Sequence, residues 1–261
     1  MSQTKKTLGS CEGVLNELFD PEAEIKQKIQ EVASAQLLEF AEAFAPVFET
    51  FQNFAKDCEL SQQAALTAGL IHGVIDDLLV SVKLLLMGNL SASGNLVRQA
   101  TEGICMAMLC AHPGTILVLR KNRPQEVNYP KLLLASNEAI HGNKACAQLA
   151  LNKERLDISS ETVAQIKHAM STHHSHSHAG FMAMVNRMDL SGASRIHYGG
   201  HFDPEKTGGY KAEIRQRTMI CKWARETISR LWPLFKGKLS PAQIQFDAAL
   251  GMVLYGVHEF L

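Results

Sequence analysis

Residues 61–114, SQQAALTAGLIHGVIDDLLVSVKLLLMGNLSASGNLVRQATEGICMAMLCAHPG, decide the fold class. Leu66, Leu70, Val74, Leu78, Val82 and Leu85 recur at three- and four-residue steps, the spacing of one helix face. Ser61 stands where a hydroxyl accepts one of the first free helix amides, so a helix is predicted over roughly 62–87. The stretch MGNLSASGN (87–95) interrupts the pattern, and a second helix follows over about 92–111, ending before His112, Pro113 and Gly114. Two long helices with a short connection form an antiparallel hairpin, taken as the centre of the core.

Outward from that hairpin the apolar period stays helical, and no alternating segment flanked by hairpin turns stands out. The expectation is an all-α helical bundle. Asp20 and Pro21 read as a helix start, with Glu22 and Glu24 at the positive end of the dipole; that helix should reach about Ala45, kink or break at Pro46, and resume to about Cys58. Shorter helices are expected near 115–121, 130–140 and 143–152, the last two separated by HGN (141–143). Ser159 or Ser160 caps another, over ETVAQIKHAM. Tyr210 to Phe235 carries Ile214, Arg217, Cys221, Ala224, Ile228 and Leu231 on one side, and Ser240 with Pro241 opens a C-terminal helix. This gives an N-terminal helical arm over 1–60 and a bundle over 61–261, in one continuous domain.

The chain has 261 residues, enough to bury a self-sufficient core. Its 26 basic side chains equal its 26 acidic ones, so no global charge draws it to nucleic acid or an anionic membrane, and any such contact needs a local patch. Six scattered cysteines without a C-x-x-C pair read as buried, reduced thiols. The first residues lack the apolar run of a secretory signal, and GICMAMLCA (103–111) is about half the length needed to span a bilayer. A soluble, cytoplasmic protein with no membrane partner is expected.

Chemistry is concentrated in two places. HHSHSHAG (173–180) holds four histidines in six positions; on a helix His174 and His178 share a face one turn apart, and His173 with His176 forms another pair. The glycine-rich loop SGASRIHYGGHFDPEKTGG (191–209) adds His197, His201 and Asp203. His174, His178, His201 and Asp203 are the right types for a divalent transition metal such as zinc, iron, nickel or manganese. The alternative is an exposed polar turn with no ligand.

In RIHYGGH (195–201), Arg195 is followed by His201 at a spacing that resembles the R-x(4–6)-H motif of the HEPN ribonucleases, helical bundles common in bacterial toxin and antiphage systems. A broader likeness over about 62–235 is to uncharacterised bacterial helical families. The resemblance implies metal-independent RNA cleavage, Arg195 steadying the phosphate and His201 moving protons, with His197 beside them as a further catalytic candidate. Two functions are thus expected in competition. One is a HEPN-like or metal-assisted phosphodiesterase acting on RNA; the other is a non-enzymatic helical module that binds a protein partner or a second copy of itself.

The hairpin also carries charge. Arg98 and Glu102 lie four apart, with Asp76, Asp77 and His72 on the preceding helix. Buried charge must be paired, so Arg98 should bond Glu102 or Asp76.

Overall fold

Helix α3 (Gln62–Leu86) begins where Ser61 accepts a hydrogen bond from the Ala64 amide at 3.1 Å. It turns at Met87 and Gly88 into α4 (Leu90–Ala111), and the two pack along their length. Ile71, Val74, Leu78, Val82 and Leu85 meet Val97, Ile104, Cys105, Met108 and Leu109 in the core. The computed structural model describes residues 10–19, 22–58, 61–121, 123–177, 181–190 and 195–236, and within them the chain is an all-α bundle with one small two-stranded sheet. The expected helix after Pro241, and the Asp20–Pro21 cap, lie outside the described residues.

After a short α1 (Cys11–Leu18), helix α2 (Ala23–Asp57) runs through Pro46 without ending. Its non-helical residue is instead Ala33, at φ −127° and ψ 20°. A mid-helix proline costs about 3 kcal/mol. The burial of Ile29, Phe40, Val47 and Phe54 offsets this, each contributing roughly 1.5–3 kcal/mol. These side chains face α9 (Thr207–Phe235), where Phe54 meets Phe235 edge-on at 6.2 Å. The predicted arm therefore shares the bundle's core.

The expected helix over 115–121 is a correction. Ile116–Arg120 (β1) and Arg123–Val127 (β2) form an antiparallel hairpin with Ile116 opposite Val127, turning at left-handed Lys121. Ile116 and Val118 are buried while Leu119 is exposed, a period of two that five residues display too briefly to stand out. Asn152 completes the free edge of β1, accepting from the Leu117 amide and donating to its carbonyl, both at 2.7 Å.

Helices α5 (Tyr129–Leu134), α6 (Gly142–Leu151), α7 (Ser160–Ser177) and α8 (Phe181–Val185) surround the hairpin. Gly142 opens α6, and a Cβ there would crowd the Glu102 carboxylate. Glu102 accepts from Arg98 at 2.7 Å, the pairing expected, whereas Asp76 is exposed. Cys105, Cys110, Cys146 and Cys221 are buried thiols without a bridge. No helix among the described residues is long and apolar enough to cross a membrane.

Candidate active site

The loop between α8 and α9 folds back on itself through a two-stranded contact. Met188 bridges Ile196 in antiparallel register, the Asp189 amide donates to the Arg195 carbonyl at 3.0 Å, and the His197 amide donates to Arg187 at 2.8 Å. Side chains alternate across such a pair, so residues 189, 195 and 197 share one face and Asp189 is the diagonal neighbour of His197. The two meet, with His197 Nε2 2.9 Å from Asp189 Oδ1.

Glycines set the next step. Gly199 adopts φ +73°, and a Cβ on Gly200 would overlap the Met87 carbonyl at the α3–α4 turn. Gly88 in that turn, at φ +77°, leaves no room for a Cβ against the His201 backbone. Two glycine backbones in contact seat His201 on the end of the central hairpin. Its ring stacks on His197, centroids 4.4 Å apart and planes 6° from parallel.

Behind His201 lies Lys206, buried at 8% exposure. Its ammonium donates to the carbonyls of Val185 (3.0 Å), Asn186 (3.2 Å) and Met188 (2.5 Å), and lies 3.2 Å from His201 Nε2. Burial, then the charges of Lys206 and His197, hold the His201 pKa below the ordinary imidazole value. Burial likewise lowers the Lys206 pKa, opposed by Asp203 and Asp189.

These contacts fix the chemistry of the two rings. An ammonium has only hydrogens to give, three among four acceptors, so His201 Nε2 accepts a hydrogen shared with a carbonyl and the proton of the neutral ring sits on Nδ1. A carboxylate only accepts, so His197 carries a proton on Nε2, and in the neutral ring Nδ1 is the acceptor. One ring offers an acceptor nitrogen, and its stacked neighbour an N–H backed by the Lys206 ammonium.

Asp189, His197 and His201 also place three donor atoms within 4.8 Å of one another, a separation an ion can bridge. Orientation argues otherwise. An imidazole lone pair lies in its ring plane, and two stacked, nearly parallel planes do not converge on one point nearby. The lone pair of His201 is moreover directed at Lys206. Metal coordination would require a ring to turn.

The sequence-derived metal set is distributed as follows. Asp203 caps the turn Pro204–Lys206: one carboxylate oxygen accepts from the Glu205 amide at 3.0 Å, the other from Leu190 at 2.8 Å, and its own amide donates to the Tyr210 hydroxyl. Of HHSHSHAG, α7 carries residues 173–177 and buries His173; the side chain of His174 and all of His178 lie outside the described residues. Arg195 is exposed. His197 and His201 come together, while Asp189 and Lys206, which the sequence reading passed over, complete the site. Asp189 is visible only once the strand pairing is known, and Lys206 sits in DPEK, which reads as a solvated turn.

A cleft of about 270 Å³ is lined by Lys206 together with Leu90, Met182, Val185, Leu190, Asn186 and Glu205. Tyr198 (77% exposed) and Phe181 (72%) stand at the surface nearby in the chain. Comparison with protein-family models, curated proteins and solved structures finds no match to this chain.

Proposed function

We propose that the chain cleaves RNA phosphodiesters by metal-independent general acid–base catalysis. The observation that carries this reading is the stacked pair of imidazoles with opposite partners, His197 Nε2 on the Asp189 carboxylate and His201 Nε2 on the Lys206 ammonium. His197 Nδ1 takes the proton of a ribose 2′-hydroxyl; the 2′-oxygen attacks phosphorus; the P–O5′ bond breaks as His201 Nδ1 gives its proton to the leaving oxygen while His201 Nε2 takes one from the Lys206 ammonium, leaving the ring neutral and the amine uncharged. The products are a 2′,3′-cyclic phosphate and a 5′-hydroxyl, with no water or cofactor consumed. Arg195, on the face of Asp189 and His197, steadies the phosphate charge. Exposed Tyr198 gives an unstacked base a ring to lie on.

The test is cleavage of single-stranded RNA by untagged protein in excess chelator. His197→Ala and His201→Ala should each lower the rate about 10²–10⁴-fold, with cyclic phosphate ends on the products. Cleavage that survives both substitutions rules the mechanism out. A rate lost in chelator and restored by zinc or manganese replaces it with a metal-assisted one.

The exposed Leu190, Ile196 and Tyr198 around the same loop favour a second reading, a protein-binding surface. A Tyr198→Ala change that abolishes partner binding in a protein with no RNA cleavage would support it.

A further inference from the structure

The cleft beside Lys206 has no part in the proton transfers, yet it shares a wall with them. Lys206 both lines it and contacts His201 Nε2. Its volume falls just below that of drug-sized ligand pockets, which run from roughly 300 Å³ upward, and its aliphatic walls suit one flat heteroaromatic ring system. We propose that this cleft is the base-recognition subsite for RNA and that it selects guanine, a reading that rests on the RNA-cleaving function proposed above.

The selection follows from which polar groups at the rim are free. Glu213 shares its carboxylate with Arg217 at 2.8 Å, and Asn186 donates to the Ser91 hydroxyl at 3.2 Å. Lys206 is committed to three carbonyls and His201. Glu205 is exposed, and its carboxylate forms no hydrogen bond or ion pair among the described residues. A carboxylate accepts two parallel hydrogen bonds from adjacent N–H groups. Guanine alone among the four bases offers such a pair, N1–H beside N2–H. Adenine and cytosine set an acceptor nitrogen next to their amine, which repels a carboxylate, and uracil offers one N–H between two carbonyls. With the base in the cleft, the phosphate it carries lies toward Lys206 and the imidazole pair.

The experiment is calorimetric titration of the full chain with guanosine, adenosine, cytidine and uridine 3′-monophosphates, which are not turned over. Guanosine 3′-monophosphate should bind at least about tenfold tighter than the other three, the discrimination a bidentate base contact supplies. Glu205→Gln, at an exposed position where folding is not at stake, should bring the four within about threefold. Equal binding of all four, or a preference that survives Glu205→Gln, overturns the subsite. The two proposals fail separately: selective guanosine binding without RNA cleavage leaves the subsite and removes the acid–base mechanism. Cleavage without guanosine selectivity does the reverse.

Discussion

Two buried cations divide this molecule between them. Arg217, fully buried in α9, donates to Ser81 Oγ (3.1 Å) on α3, Ser93 Oγ (2.6 Å) on α4, and the Glu213 carbonyl and carboxylate on its own helix. Ser93 in turn donates to the Ser81 carbonyl, so three helices close on one guanidinium. Lys206 reaches nearly the same depth but bonds backbone carbonyls of an irregular loop and one imidazole. A planar guanidinium matches fixed partners on rigid helices, while an ammonium with three rotatable hydrogens gathers whatever a loop presents. The first cation serves the fold. The second shapes a loop and, after burial, helps lower the His201 pKa.

The largest expected effect tests the first half of that contrast. Arg217→Leu removes every hydrogen bond the guanidinium donates and takes the Arg217 cation from Glu213. Burial already pushes the guanidinium pKa down, which shows how little solvent compensates there. Breaking a buried pair on one side costs about 3–5 kcal/mol. Denaturant unfolding should show a loss of that size, and a loss under about 1 kcal/mol would mean the network does not hold the helices together.

Lys206→Met should cost less stability and more activity. Three neutral carbonyls each lose a hydrogen bond with a net worth of about 0.5–1 kcal/mol, and no direct ion pair is broken. His201 then loses the contact that fixes its proton on Nδ1, so RNA cleavage should fall about tenfold or more while the fold persists. Unfolding measured alongside single-turnover cleavage checks both. If Lys206→Met destabilises as strongly as Arg217→Leu and leaves cleavage unchanged, the two cations are the same kind of feature.

The same contrast explains what was legible in the sequence. The α3–α4 hairpin was, because apolar residues repeated over about fifty positions leave one period to choose, and Ser61 marks the start. Arg98 with Glu102 was legible for a related reason, since spacing along one helix fixes who can meet. Arg217 was placed on the buried face of its helix, but its serine partners lie more than a hundred residues away in sequence and gave no sign. The β-hairpin at 116–127 was missed because five residues do not establish a period. At the site, His197 and His201 share one glycine-rich loop and could be grouped by eye. Asp189 joins them only through the register of Met188 with Ile196, and Lys206 through a turn that Asp203 caps. Pairings across irregular backbone depend on φ/ψ choices that residue types constrain weakly.

Asp77 offers the finest test, because it is the counter-example to both cations. Half-buried on α3, its carboxylate forms no hydrogen bond or ion pair among the described residues, and Asp76 stands next to it. Desolvation, with Asp76 adding to it, raises its pKa from 3.8 to about 6. The unfolded chain therefore ionises this group more readily than the folded one, so the folded state carries a penalty that is absent below about pH 4, grows between about pH 4 and 6, and is complete at neutral pH. Asp77→Asn removes the charge without changing the shape. It should stabilise the protein at pH 7 by less than about 1 kcal/mol, since half the group remains in water and is screened. The gain should shrink toward zero as the pH is lowered through 5 to 4. Paired denaturation curves at pH 7 and pH 4 check it. A variant less stable than the parent at pH 7 would mean that Asp77 has a stabilising partner after all, and that unmatched charge is not tolerated on the hairpin.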